Sequence, residues 1–179
     1  MAELLPDDDL VVKPERQGLA RLLDSVVTWW ALSGGFVFVA LVIMSIVSIV
    51  GRKLFSSPIE GDMELLMMGA AVGSAAFLPV CEMHDHHIKV DALTTWMSER
   101  ARAALDVVAH ALLMLAAGVI TWRTVLYTIE CHENMEVSAL LLVPQWLPVS
   151  LMVPSFALLA AAALYRLIVS TQLARGVSA

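Results

Sequence analysis

The chain has 179 residues, of which 59% are hydrophobic and 16% charged, and its formal net charge is −6. Its mean hydropathy of +0.79 lies far above that of a soluble domain and argues against a water-soluble helical bundle, whose helices would each carry a polar stripe. The negative charge, with no basic patch along the sequence, argues against a nucleic-acid partner.

Long apolar stretches predict an all-α membrane protein with four transmembrane helices. A bilayer core of about 30 Å needs about 20 apolar residues in a helix, and only helices or closed barrels satisfy their backbone groups in lipid. The predicted spans cover residues 26–50, 63–82, 103–123 and 144–166. They form one membrane domain over residues 16–170, between a disordered cytoplasmic tail (1–15) and a second cytoplasmic tail (171–179).

The connecting segments predict the topology and one interfacial element. In the loop between the second and third spans, Val90, Leu93 and Met97 share a helical face, which predicts a short amphipathic segment lying on the membrane. Lys and Arg are concentrated in both tails and in this loop. Because cytoplasmic segments carry the excess of basic residues, we expect both termini in the cytoplasm.

Tryptophans mark the predicted span boundaries. Trp29 and Trp30 lie near the start of the first span, Trp122 ends the third, and Trp146 begins the fourth. Amphipathic aromatic rings prefer the headgroup layer of a bilayer. We therefore expect these four side chains near the membrane surfaces and not in a helix-packed core.

The second span is rich in small residues and is predicted to be the helix most surrounded by protein. Membrane helices lack a hydrophobic drive to associate, so small residues that let backbones approach closely are enriched where they pack. Gly69, Gly73 and Ala76 are the predicted helix-packing residues.

Asp106 and His110 are the ionisable residues well inside a predicted span. Their i, i+4 spacing places them on one helix face, so they are a candidate intramembrane pair. Ionisable residues at this depth are functional hypotheses by default. No other predicted span supplies a charged partner, so a local structural pair is favoured over a proton pathway.

The histidines predict neither a metal site nor a haem site. His84, Asp85, His86 and His87 have the side chains of metal ligands, but neighbouring residues rarely all point at one ion, so a solvated interfacial loop is favoured. His84 and His110 are the one candidate haem pair, and His84 lies only at the end of a span. We predict no catalytic residue, no substrate-binding residue and no cofactor.

Short motifs in a specific order resemble a known family. The first group comprises Arg52, Pro58, Glu64-Leu65 and His87-Ile88-Lys89-Val90-Asp91. The second comprises Ser138, Leu141, Pro144 and Trp146. In order, spacing and number of spans, the chain resembles the small membrane subunit of tripartite ATP-independent periplasmic (TRAP) transporters, the DctQ-like family.

The resemblance implies a non-enzymatic, multi-pass subunit of the bacterial inner membrane. Such a subunit works beside a large membrane subunit that carries the solute and sodium, and a periplasmic solute-binding protein delivers the solute, here expected to be an organic acid. Its own role is to enlarge the static scaffold within the lipid bilayer.

The family motif implies structural roles at the two membrane surfaces. The residues concerned are Arg52, Pro58, Glu64, His87 and Asp91. We expect Glu64 to pair with Arg52 across the first loop. Two alternatives stay open: a haem-binding membrane anchor of a redox enzyme, and a stand-alone small transporter.

Overall fold

A computed structural model describes residues 18–55, 59–84 and 99–177. The described chain forms four helices: α1 (Leu19–Phe55), α2 (Asp62–Met83), α3 (Glu99–Glu133) and α4 (Trp146–Val177). Each is long and apolar enough to cross a membrane. The predicted all-α fold with four membrane helices is thereby confirmed.

Several predictions fall on residues that the structure does not describe. The N-terminal tail is among them, as are the amphipathic segment and the motif residues Pro58, His87 and Asp91. These remain predictions.

The helices are longer than the predicted spans. The third was expected to end near residue 123, but α3 continues to Glu133 because nothing from residue 123 onward breaks a helix. The Thr124 and Thr128 hydroxyls donate to the carbonyls four residues earlier, at 2.7 Å each, and so need no other partner. The helix ends beside Met135, whose backbone is left-handed (φ 53°).

The four helices form an open row in the order α1–α2–α4–α3. Helix α2 packs along α1 on one side and α4 on the other, and α4 also packs along α3. Helices α1 and α3 are therefore the ends of the row, and most of their apolar surface faces outward, as Phe36 (82% exposed) and Leu115 (64% exposed) illustrate. This surface is suited to lipid or to another membrane protein.

Helices α1 and α2 touch through glycines. A β-carbon at Gly34 would lie 2.7 Å from the Ala76 β-carbon and 3.1 Å from the Gly73 carbonyl oxygen, so the two backbones are in direct contact. A β-carbon at Gly73 would lie 2.7 Å from the Phe38 ring, and one at Gly69 would lie 2.8 Å from the Leu41 side chain. The structure thus places the predicted packing residues against α1 of the same chain.

One tryptophan makes a hydrogen bond between two helices. The Trp30 indole Nε1–H donates to the Ser155 hydroxyl of α4 at 2.8 Å, and Ser155 is fully buried. A packed indole needs an acceptor for its N–H, and Ser155 provides one. The Trp30 indole thus contacts another helix, whereas Trp29 and Trp122 are exposed.

A small apolar cluster joins three helices near the end of α2. Val27 of α1, Met83 of α2 and Ala162 of α4 are each fully buried and pack together. Ala162 leaves room for the longer side chains of its two neighbours.

Candidate functional site

Polar contacts are concentrated at the two ends of α2. The first group, here called the loop junction, consists of Arg52, Asp62, Glu64 and the turn of residues 138–143. The second, the histidine junction, consists of Asp24, Glu82, His84 and His110. Of the ionisable site residues predicted from the sequence and described by the structure, Arg52, Glu64 and His110 lie in these two junctions. Asp106 lies outside them.

The turn of residues 138–143 is closed by its own hydrogen bonds. The Ser138 N–H donates to the Val143 carbonyl at 2.9 Å, and the Val143 N–H donates to the Ser138 hydroxyl oxygen at 3.2 Å. Ser138 is 3% exposed, and Leu142 has a left-handed backbone (φ 53°). Glycine, which has no β-carbon, adopts that conformation most readily. A leucine there therefore indicates that the surrounding hydrogen bonds hold the turn in place.

Glu64 binds this turn from the first turn of α2. Its Oε1 accepts the Leu140 N–H at 2.9 Å and its Oε2 accepts the Leu141 N–H at 3.1 Å, so one carboxylate holds two consecutive amides. Gly61 lies against the Leu141 side chain, which leaves no room for a β-carbon, and its φ of 74° also favours glycine.

Arg52 contacts Asp62 and not Glu64. The Arg52 Nη2 lies 3.5 Å from the Asp62 Oδ2, which also accepts the Ser48 hydroxyl at 2.6 Å. The expected pairing of Arg52 with Glu64 is therefore wrong, because Asp62 faces α1 while Glu64 faces the turn before α4. Arg52 is 62% exposed at its side chain, so its ion pair contributes little stability.

The loop junction brings together two motifs that are far apart in the sequence. Glu64 belongs to the motif that opens α2, whereas Ser138 and Leu141 belong to the motif before α4, and they meet in one contact. Trp146 of the same second motif stacks on His132, with ring centroids 5.5 Å apart. The two motifs therefore form one contact region in the folded chain.

Replacing Glu64 with alanine is expected to loosen the turn. The Leu140 and Leu141 amides lose their carboxylate acceptor, so their hydrogen exchange should accelerate, while the amides of α4 should exchange as before. Hydrogen-exchange mass spectrometry of peptides covering residues 134–145 measures the effect. The matched control is Glu60→Ala, which removes an exposed carboxylate nearby. Unchanged exchange in Glu64→Ala would contradict the assigned contact.

The histidine junction contains a buried carboxylate–imidazole contact between α2 and α3. The His110 Nδ1 lies 2.7 Å from the Glu82 Oε1, and the two residues are 6% and 1% exposed. The expectation that no other span supplies a partner for His110 is wrong, because Glu82, at the end of the second span, belongs to α2 and contacts His110. Asp106, the predicted partner, is half-buried on the same helix as His110.

A second contact of the same kind lies on the last turn of α2. The His84 Nε2 is 3.3 Å from the Asp24 Oδ1 of α1, and both side chains are about one-third exposed at 29% and 30%. Water screens this contact, whereas it scarcely reaches the Glu82–His110 contact. The end of α2 thus reaches α1 through an imidazole and α3 through a carboxylate.

The two candidate haem ligands, His84 and His110, make the carboxylate contacts just described, and His84 was also a candidate metal ligand. His84 and His110 each face a carboxylate. Over residues 18–55, 59–84 and 99–177, no group of three or more His, Cys, Asp or Glu side chains could hold a metal ion. Asp85, His86 and His87 of the predicted cluster lie outside the described residues. Cys81 and Cys131 are free.

Comparison with known families identifies one match. The model of the DctQ component of tripartite ATP-independent periplasmic transporters matches residues 41–173. The matched region contains the whole loop junction and, of the histidine junction, all residues but Asp24. No curated protein and no solved structure matches the chain.

Proposed function

Because the chain belongs to the DctQ family of TRAP transporter components, we propose that it is the accessory subunit that extends the static membrane scaffold of a solute importer. It is a small multi-pass subunit of the inner membrane and a transporter component, not an enzyme.

The observation that carries the scaffold role is the use of the buried polar residues. Those in the described chain are Ser48, Glu82, His110, Ser138 and Ser155. Ser48, Glu82, His110 and Ser155 each have a hydrogen-bond partner on another helix, and the Ser138 hydroxyl closes the turn of residues 138–143. Polar groups that line a solute pathway must instead be open to the solute. Internal satisfaction therefore favours a supporting body over a pathway.

The other components supply transport in this proposal. A large membrane subunit carries the solute, an organic acid, and couples it to sodium, while a periplasmic solute-binding protein delivers it. Both termini of the small subunit lie in the cytoplasm, as the distribution of Lys and Arg favours. The histidine junction then lies towards the cytoplasm and the loop junction towards the periplasm. The open row of helices gives the large subunit an apolar surface to pack against.

Purification of the tagged chain from its native membrane in mild detergent tests the proposal. We expect mass spectrometry to identify a large multi-span permease in stoichiometric amount. We also expect no uptake by proteoliposomes that contain the tagged chain alone, and sodium-dependent uptake once the permease and the binding protein are added. Recovery with a soluble dehydrogenase and a haem absorbance band, or uptake by the chain alone, would contradict the proposal.

A further inference from the structure

The Glu82–His110 contact joins two helices that are not neighbours in the row. Within the described part of the chain, α3 packs along α4, and α4 separates it from α2 over most of its length. Yet the side chains of Glu82 and His110 meet at 2.7 Å. This contact therefore connects α2 to α3 past α4, near the end of α2 where Val27, Met83 and Ala162 pack together.

A directional bond at this position restricts a motion that apolar packing leaves free. Lipid tails are as apolar as the helix surfaces, so burial alone does not fix how α3 is rotated about α4. A buried carboxylate–imidazole contact has one favourable geometry, and breaking it leaves a polar group in a dry environment.

We propose that the Glu82–His110 contact is a positioning clasp that fixes the rotation and tilt of α3 relative to α2. Through it, the outward face of α3 and the α1–α2 pair form one rigid body. We further infer that the large subunit binds this rigid body, and that step rests on the proposed function. The positioning of α3 relative to α2 is independent of the proposed function.

The Asp24–His84 contact provides an internal control. It is also a carboxylate–imidazole contact and it also involves the last turn of α2, but it joins helices that already pack along each other through Gly34 and Gly73. Its loss should therefore leave the helix positions unchanged. Asp24→Asn is the matched variant.

Two conservative and two disruptive substitutions separate the bond from general damage. Glu82→Gln keeps an oxygen that can accept from the His110 Nδ1–H, and His110→Asn keeps an amide near the position of Nδ1. Glu82→Leu and His110→Leu remove the polar partner at similar volume. If a leucine variant does not fold, His110→Gln replaces it, since its amide lies nearer the position of Nε2 and away from Glu82.

Distances between spin labels on the full-length chain measure the effect. Labels at the exposed positions Leu78 and Leu112 report on α2 and α3, and labels at Leu112 and Leu164 report on α3 and α4. The native Cys81 and Cys131 are replaced by alanine. In the two leucine variants we expect the α2–α3 distance to shift or broaden on the order of 2 Å, the scale on which packed helices re-seat, with the α3–α4 distance retained.

The conservative variants and Asp24→Asn should keep the distance distributions of the native sequence. Unchanged α2–α3 distances in both disruptive variants would overturn the clasp, as would an equal change in Asp24→Asn. Recovery of the large subunit with each variant tests the assembly step: we expect loss for Glu82→Leu and retention for Asp24→Asn, and equal recovery would overturn that step. If the native sequence recovers no large subunit, the proposed function fails while the distances still decide the clasp.

Discussion

Replacing Gly34 with alanine adds a single methyl group, yet it is expected to destabilise the chain strongly. The added β-carbon would lie 2.7 Å from the Ala76 β-carbon and 3.1 Å from the Gly73 carbonyl oxygen. Neither atom is the end of a flexible side chain that can rotate away, so α1 and α2 must separate. Overpacking of this kind costs about 1–3 kcal/mol. Thermal unfolding in detergent, followed by tryptophan fluorescence, measures the loss.

The neighbouring glycine is the matched control for this prediction. A β-carbon at Gly35 would lie 3.7 Å from the Phe77 ring, an ordinary van der Waals contact. Gly35→Ala should therefore be neutral or stabilising by up to about 1 kcal/mol, because glycine inside a helix is unfavourable by about that amount relative to alanine. Equal unfolding midpoints for the two alanine variants would contradict the close approach of the backbones at Gly34.

The sequence predicted the elements of this fold and one face of its packing. Four apolar runs sufficed for four helices, because the length of a span is set by the bilayer. The small residues of α2 sufficed for a packing face, since Gly73 and Ala76 lie one turn apart. Their counterpart Gly34 was not identified, because a contact between α1 and α2 depends on the register of two helices. Composition contains no information about that register.

The polar contacts were the part that the sequence did not predict. Glu82 was the last residue of the predicted second span and was not recognised as a partner for His110, although α2 continues through Met83. His110 was consequently left with only Asp106 as a candidate partner. Ser155, the acceptor of the Trp30 N–H, was likewise not identified. In each case the true partner lies on another helix, and only the packing of the helices identifies it.

The order of the motifs was a better guide than any single residue chosen within them. The resemblance placed Glu64 and Ser138 in separate motifs, and the structure brings both into the loop junction. The expected partner Arg52 is one of two adjacent basic residues that precede Glu64 in the sequence, and it contacts Asp62 instead. Proximity along the chain favours such local pairs, whereas Glu64 is satisfied by backbone amides, which have no signature in the sequence.

Truncating Glu82 and His110 to alanine, singly and together, is expected to show strong coupling between them. Removing one partner leaves the other buried at 6% exposure or less. Such a change costs about 3–5 kcal/mol when the remaining group is charged. The double variant removes both polar groups, so its loss should be smaller than the sum of the single losses. A double-mutant cycle on unfolding free energies should therefore give a coupling of about 2 kcal/mol.

The size of this coupling distinguishes an ionic contact from a neutral hydrogen bond. Side-chain hydrogen bonds between membrane helices contribute about 0.6 kcal/mol on average, because the partners find substitutes when the helices separate. A coupling near that value would contradict the strong coupling expected for Glu82 and His110. The same cycle for Asp24 and His84 should give about 0–1 kcal/mol, since water screens that pair. We attribute the difference between the two coupling energies to burial. A larger coupling for Asp24 and His84 than for Glu82 and His110 would contradict this explanation.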